Sequence, residues 1–218
     1  MTAEVGPLVR RLKLHRSKVL GGVITYQAPG VALLLTGVGP DRAASAAAAM
    51  LRHIQPRAVI ITGFAGAADP ALRVGDAVRA TDLIDGRTGT IHRSPGSAAA
   101  HVLYTADHLI DDPAEKRRLH QQHHAAMVDM ESAAVAGACG AGNIPWRCLR
   151  IISDDAATTL PAGLAGLTHP DGRPNLPAAA IYALCHPHHI PMLLRLGRVS
   201  SNCANSLAHH VMQLIHTV

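Results

Sequence analysis

Apolar runs of strand length alternate with alanine-rich stretches of helix length over the first 156 residues, and this alternation constrains the fold most. Many of the apolar runs end in glycine or an acidic residue. Such alternation predicts a mainly parallel sheet covered by helices on both faces. Aromatic residues make up only 2% of the chain, so small and aliphatic side chains must fill the core. The predicted strands are Val19–Gln27, Val31–Thr36, Ala58–Thr62, Val74–Ile84, His101–Thr105, Ala125–Val128 and Arg147–Ile152, and the predicted helices are Arg42–Ile54, Pro113–Gln122 and Met130–Ala141.

The chain changes character after Ala156. Repeated prolines interrupt the next stretch, which predicts a loop, and residues 85–100 predict a second, mobile loop. Three helices fit the remainder: Leu176–Cys185, His188–Leu196 and Val199–His216. We therefore predict one domain of residues 1–218, because 218 residues suit a single core. Its three-layer α/β/α part spans residues 1–156, and a loop with a helical C-terminal appendage spans residues 157–218.

Charge and composition narrow the classes of partner. Twenty lysines and arginines against fifteen acids give a net charge of +5, with no block of five like charges. This pattern and the scarcity of aromatics argue against a nucleic-acid-binding surface. No apolar run reaches the roughly 18–20 residues of a membrane helix, and the first residues lack a signal-peptide pattern. Four widely spaced cysteines without a C-x-x-C pair fit a reduced cytoplasm.

Polar or small residues follow three of the apolar strands. These segments are Gly63-Phe64-Ala65-Gly66, Asp129-Met130-Glu131 and Ser153-Asp154-Asp155. Ligands of open α/β sheets bind beyond the carboxyl ends of the strands, so these segments are candidates for a site. Turn-forming glycines and helix-capping acids would explain the same residues, and spacing alone does not separate the two interpretations.

Five motifs in order resemble the purine nucleoside phosphorylase and nucleosidase superfamily, and together they are specific. They are Thr36-Gly37-Val38-Gly39, Thr62-Gly63-Phe64-Ala65-Gly66, Val74-Gly75-Asp76, Val128-Asp129-Met130-Glu131-Ser132-Ala133-Ala134-Val135-Ala136 and Leu149-Arg150-Ile151-Ile152-Ser153-Asp154-Asp155-Ala156. The resemblance implies cleavage of the N-glycosidic bond of an adenine nucleoside without a cofactor.

Two branches of that superfamily compete. The segments Ala106–Ile110 and Pro113–Lys116, and the stretch from Thr159 through Pro174, resemble the branch associated with hopanoid lipids, which releases adenine from adenosylhopane. This branch is the first choice. The alternatives are a soluble methylthioadenosine/S-adenosylhomocysteine nucleosidase, a purine nucleoside phosphorylase, or a degenerate module that only binds adenosine.

The resemblance implies a role for each motif acid. Asp154 matches the acid that protonates purine N7, and Ser153 is placed to orient it. Glu131 matches the glutamate that binds the ribose diol, since an ionised carboxylate offers two acceptor oxygens to two hydroxyl donors. Met130 is expected to pack on the sugar, with residues 63–66 (Gly63, Phe64, Ala65 and Gly66) completing the substrate pocket.

The water-activating role matches Glu4, in Met1-Thr2-Ala3-Glu4-Val5. The family's first strand precedes this segment, so the resemblance implies either that the start of this chain is wrongly assigned or truncated, or that the sheet lacks this strand. Ile61 and Phe64 stand where the phosphorylases bind phosphate, and neither provides a polar side chain, which favours water as the acceptor. Arg42 could replace the missing cation, so phosphorolysis stays open.

Fifteen histidines raise the question of a metal site. None of their clusters is completed by an acid or a cysteine, so we predict no metal. The resemblance implies a homodimer or higher homo-oligomer. The basic, apolar tail allows contact with a membrane surface, which would place a cytoplasmic chain at the inner membrane.

Overall fold

The computed structural model describes residues 2–17, 23–95, 101–159, 182 and 190–217. The helices of this part are α1 (Thr2–Arg11), α2 (Pro40–His53), α3 (Pro113–His123), α4 (Ser132–Ala141) and α5 (Ile190–Ile215). The strands are β1 (His15–Arg16), β2 (Thr25–Ala28), β3 (Val31–Leu34), β4 (Val59–Ala67), β5 (Ala77–Asp85), β6 (Ile91–Arg93), β7 (His101–Thr105), β8 (Ala125–Asp129) and β9 (Trp146–Asp154). The predicted α/β fold is therefore confirmed.

Six strands form a mixed sheet in the order β6-β5-β7-β8-β4-β9. The pairs β4–β9, β5–β7 and β7–β8 are parallel, whereas β4–β8, β5–β9 and β5–β6 are antiparallel. Because β5 pairs with both β7 and β9, five of the strands close on themselves. Strand β4 lies between β8 and β9, so the ends of these three strands meet. The first three strands form a separate antiparallel sheet.

Helices cover both faces of β9 and β4, which explains their uninterrupted apolar runs. Cys148 and Ile152 face the core under α2 and α4, whereas Leu149 and Ile151 face α1 and α5. The side chains of a strand alternate between its faces, so both sets are buried. The described part of α5 thus packs against α1 and the sheet.

Two local predictions are wrong. The sequence predicted separate helices over His188–Leu196 and Val199–His216, but α5 runs through Gly197. One glycine inside a helix costs only about 1 kcal/mol, which tertiary packing offsets. The sequence also predicted a mobile loop over residues 85–100, but Ile91–Arg93 form β6, paired with β5. Three residues are too few for a periodic pattern to be recognised.

The remaining tail predictions lie largely outside the described residues. Almost all of Leu176–Cys185 lies there, and so do residues 19–22 of the predicted strand Val19–Gln27. Among the helices of the described ranges, none is long and apolar enough to cross a bilayer. The domain boundary at residue 156 stays a prediction.

The packing of α5 is tested by Leu207→Ala. Leu207 is 0% exposed in the core between α5 and β9. Removing its side chain is expected to lower the free energy of unfolding by about 2–5 kcal/mol, since the cavity relaxes only in part. Urea unfolding followed by circular dichroism measures the change. Asn202→Ala, on the exposed face of the same helix, is the control and should stay within about 0.5 kcal/mol of the wild type.

Candidate active site

A pocket lies where β4, β8 and β9 end. In the sheet register, Gly66 of β4 pairs with Val128 of β8 on one side and with Asp154 of β9 on the other. The pocket is lined by Gly66, His108, Leu109, Ile110, Val128, Asp129, Met130 and Asp154. The topology thus brings together the predicted residues Gly66, Met130 and Asp154 from three separate motifs.

Asp154 receives a hydrogen bond on each of its carboxyl oxygens. The Ser153 hydroxyl donates to Oδ1 over 2.8 Å, and the Lys116 ammonium group donates to Oδ2 over 2.5 Å. Only 12% of the Asp154 side chain is exposed. Ser153 thus occupies the orienting position that the sequence suggested, but the sequence did not assign a role to Lys116.

Lys116 reaches this position because of how α3 begins. Asp112 caps the helix by accepting a hydrogen bond from the Ala114 N–H over 2.9 Å, and Pro113 occupies the first turn. This start directs the first turns of α3 toward the end of β9. The Lys116 side chain is fully buried there.

The Asp154 carboxyl group lies so close to the backbone of β4 that position 66 requires a glycine. A side-chain carbon at position 66 would lie only 2.9 Å from Asp154 Oδ2. Because no methyl group fits this space, the motif glycine allows β4 and the carboxyl group to approach closely.

The four residues of the β4 motif do not all face the pocket. Phe64 packs against the α1–α5 core, and Ala65 is buried in the α2–α4 core on the opposite face. Side chains at these positions cannot line the pocket, because helices cover both faces of β4 and the strand alternates between them. The Phe64 carbonyl accepts a hydrogen bond from Arg150, and the Ala65 carbonyl lies 3.3 Å from the Ser153 hydroxyl oxygen. Among residues 63–66, Gly66 is the one that lines the pocket.

Arg150 is a second buried cation at the site, after Lys116, and is 5% exposed. Its guanidinium group donates to Asp129 Oδ2 and, over 2.7 Å, to the Ser132 hydroxyl. Asp129 also accepts hydrogen bonds from the Thr105 hydroxyl over 2.8 Å and from the Ser132 N–H over 3.0 Å. Asp129 therefore links β7, β8 and β9 through these contacts. This structural role agrees with the interpretation that acids after the strands cap helices.

Glu131 lies at the start of α4 and is bound to the turn before α2. The Gly39 N–H donates to Glu131 Oε1 over 2.9 Å. Burial raises the pKa of Glu131 to about 7, and the negative charge of Asp129 contributes, while Arg150 and the Gly39 hydrogen bond oppose the rise. The predicted diol-binding carboxyl group thus changes charge near neutral pH.

Glu4 belongs to the same charged cluster. A side-chain carbon added to Gly63 would contact the Arg150 guanidinium group, and the Glu4 Oε2 atom would lie 3.8 Å from that carbon. The Glu4 charge also raises the pKa of both Glu131 and Arg150. Helix α1 therefore places this predicted residue beside Arg150, which lies within β9, and near Glu131, which follows β8.

The pocket mouth carries a histidine between two acids. His108 Nδ1 lies 2.7 Å from Asp107 Oδ1, and its Nε2 lies 3.4 Å from Glu115 Oε1. The hydrogen bond to Asp107 raises the pKa of His108, with a further contribution from Glu115. Within the described ranges, no group of three or more histidines, cysteines or acids is placed to hold a metal ion.

The raised pKa of Glu131 predicts a pH-dependent gain in stability for Glu131→Gln. Folding raises this pKa from 4.5 to about 7, so the folded chain binds the proton more tightly than the unfolded chain. That stabilisation is complete below pH 4.5 and is lost as the pH rises through about 7. Glutamine stays neutral, so the variant should match the wild type at about pH 5 and exceed its free energy of unfolding by about 2 kcal/mol at about pH 8.

Thermal unfolding at both pH values measures this difference. Glu115→Gln, on α3, is the control and should show no comparable gain at the higher pH. Equal or lower stability of Glu131→Gln at about pH 8 would contradict the burial of an ionisable carboxyl group at this position.

Comparison with known proteins places this geometry in a family. A model of the phosphorylase superfamily matches residues 4–110 and 99–171. The 5′-methylthioadenosine/S-adenosylhomocysteine nucleosidases of Tolumonas auensis and Anoxybacillus flavithermus are each 29% identical over 164 residues, which cover 61% of this chain and 71% of theirs.

Solved structures share the fold at lower identity. The same type of nucleosidase from Campylobacter jejuni superposes with a TM-score of 0.73 at 19% identity, covering 100% of this chain and 96% of that one. Futalosine hydrolase of Helicobacter pylori superposes with a TM-score of 0.74 at 15% identity, covering 100% and 95%.

The comparisons confirm the predicted superfamily and the predicted class of N-glycosidic-bond-cleaving enzyme. The finer assignment to the hopanoid-associated branch stays a prediction. The matched residues include every acid of the pocket and of the adjoining charged cluster, from Glu4 to Asp154. The chain therefore belongs to the phosphorylase superfamily.

Proposed function

We propose that this chain hydrolyses the N-glycosidic bond of an adenine nucleoside with a substituent at the 5′ position, and releases free adenine. The observation that carries the proposal is the convergence of Asp154 and Met130 in one pocket, with Glu131 and Glu4 beside it. The matched nucleosidases are named for 5′-methylthioadenosine and S-adenosylhomocysteine, which makes these the first substrates to test.

Asp154 supplies the proton of the leaving group. Cleavage leaves the bonding electron pair on the purine, and protonation of N7 neutralises the charge that develops there. The carboxyl group is held by Ser153 and lines the pocket in which the purine would bind.

Glu131 and Met130 hold the sugar. One Glu131 oxygen already accepts the Gly39 N–H, which fixes the carboxylate while the ribose hydroxyls donate to its remaining lone pairs. Met130 lines the pocket next to it and packs on the apolar face of the ribose.

Glu4 takes the proton of the attacking water. Its position next to Gly63 and Arg150 places a carboxylate near a buried cation, where a water molecule can be bound and oriented. Water rather than phosphate is favoured, because Ile61 is buried in the α2–α4 core and Phe64 packs against the opposite one. The alternative cation, Arg42, is exposed on α2.

A second substrate class is a lipid-linked adenosyl compound of the adenosylhopane type. The segment Ala106–Ile110, which resembles the hopanoid-associated branch, forms one side of the pocket, and Leu109 is 40% exposed there. An apolar tail on the 5′ position would extend over this surface. Such a substrate would bring a cytoplasmic chain to the inner membrane surface, and a homodimer could complete the ribose end of the pocket.

A substrate panel separates these classes. Adenine release is measured with 5′-methylthioadenosine, S-adenosylhomocysteine, adenosine and a detergent-solubilised adenosyl lipid. The proposal expects release from at least one adenine nucleoside, and the most efficient substrate identifies the 5′ substituent. Binding of all of them without adenine release would instead support the adenosine-binding module.

Asp154→Asn is expected to lower kcat by about 10²–10⁴-fold with little change in KM, because it removes the transferable proton and keeps the shape. Asp82→Asn, on β5 and outside the pocket, is the control and should keep wild-type rates. Steady-state adenine release with a purified, folded variant measures the effect. Wild-type kcat in Asp154→Asn would refute its role as the acid.

Glu131→Gln is expected to lose its preference for ribonucleosides over the 2′-deoxy analogues. Glutamine has one acceptor oxygen instead of two, and a charged hydrogen bond is worth about 1.5–3 kcal/mol, or roughly 10–150-fold in kcat/KM. The ratio of kcat/KM for the paired substrates measures this. Equal losses for ribo- and deoxy-substrates would show that Glu131 does not bind the diol.

A further inference from the structure

Lys116 is a fully buried lysine that the proposed chemistry leaves without a role. Its Nζ donates to Asp154 Oδ2 over 2.5 Å, to the Asp155 carbonyl over 3.0 Å and to the Thr158 carbonyl over 3.4 Å. Three oxygen acceptors match the three N–H groups of an ammonium ion. The geometry is therefore that of a charged lysine.

Stability alone does not explain this arrangement. Moving two charges out of water costs several kcal/mol, and apolar residues of similar volume are often as stable as a buried ion pair. The pair instead lies directly behind the pocket, where Gly66 and Met130 leave Asp154 accessible to a ligand. The position of the pair behind the pocket indicates that Lys116 acts on the protonation of Asp154.

The pair makes protonation of Asp154 harder. Both carboxyl oxygens accept hydrogen bonds, from Ser153 and Lys116, which is the pattern of an ionised carboxylate. A cation in direct contact also favours the charged form. Asp154 must be protonated before it can donate a proton to N7. The Lys116 cation therefore limits the pH range in which protonated Asp154 is present.

Other charged groups near Asp154 are accounted for within the described ranges. Asp129 shares the pocket and is paired with Arg150, and Asp155 is turned away toward the Thr158 hydroxyl, 2.7 Å from its Oδ1. His108 lies at the mouth between Asp107 and Glu115. Strand β4 presents only the backbone of Gly66. Asp76, in the segment before β5, accepts a hydrogen bond from the Arg73 N–H. Helix α5 presents the Cys203 thiol, and burial raises the pKa of this thiol, so it stays uncharged.

We propose that Lys116 is a positioning residue that sets the pH range in which Asp154 carries the proton for the purine, while it also holds the turn Asp155–Thr158. This inference rests on the proposed function, in which Asp154 is the acid. Lys116 is fully buried and does not line the pocket, so it acts through Asp154.

The pH profile of kcat/KM for adenine release tests the inference. Lys116→Met and Lys116→Gln both remove the charge, and glutamine keeps a hydrogen-bond donor. In both variants the midpoint of the alkaline limb should move to higher pH, because the positive charge beside the carboxyl group is gone. Lys13→Met removes an exposed lysine and should leave the limb where the wild type has it.

A merely structural Lys116 gives a different result. Loss of the turn contacts would lower the rate at every pH and leave the limb unmoved, and that outcome overturns the inference. If the wild-type chain releases adenine and the limb stays in place, the inference alone fails. A wild-type chain that releases adenine from no nucleoside overturns the proposed function as well.

A double variant keeps the test open if Lys116→Met is too unstable to assay. At about pH 8, Asp154→Asn should lower Tm in the wild-type background, because it leaves Lys116 buried without its partner. The same substitution should raise Tm in the Lys116→Met background, because it removes a lone buried carboxylate. An equal decrease of Tm in both backgrounds contradicts the charge coupling on which the inference depends.

Discussion

The buried guanidinium group of Arg150 is the interaction on which the site depends. It lies in the middle of β9, binds Asp129 at the end of β8, and donates to the carbonyl of Phe64 in β4 over 3.4 Å. A single cation therefore joins the three strands whose ends form the pocket. It also opposes the rise in the pKa of Glu131, which Asp129 and Glu4 increase. Without this cation, the acids of the cluster would repel one another in a poorly hydrated space.

The site contains two cations with different consequences. Arg150 is bound to Asp129, an acid that is fully occupied by structural hydrogen bonds, and so it supports the fold. Lys116 is bound to Asp154, an acid that faces the pocket. The acids that carry out the proposed chemistry thus differ in their surroundings. Burial raises the pKa of Glu131 to about 7, whereas Asp154 accepts a hydrogen bond from the Lys116 ammonium group. Separate environments allow one acid to bind the sugar and another to supply a proton.

The sequence predicted much of the fold, because apolar runs and alanine-rich stretches reflect local geometry. Strands β7 and β8 and helix α3 lie within a residue of their predicted bounds. Family motifs also identified Asp154, Met130 and Gly66, which line one pocket. By contrast, Phe64 and Ala65 are turned into opposite cores, and a continuous apolar strand gives no indication of which face opens to a ligand.

Long-range pairing could not be predicted from the sequence. Lys116 and Asp154 are 38 residues apart, and Arg150 and Asp129 are 21 apart. Both basic residues occur within segments that resemble the family, yet neither received a role, because a charged residue on a helix or strand is usually exposed. Only the folded chain shows that their side chains are buried.

The most direct test of the account is the product of the reaction with and without phosphate. The purified chain is incubated with the best nucleoside of the panel in phosphate-free buffer and in buffer with inorganic phosphate, and the products are identified by mass spectrometry. The account predicts free adenine and a free sugar at the same rate in both buffers, since the side chains of Ile61 and Phe64 pack in the two cores and offer no polar group to a phosphate ion. No release of adenine, or release only with phosphate together with a sugar 1-phosphate, would contradict it.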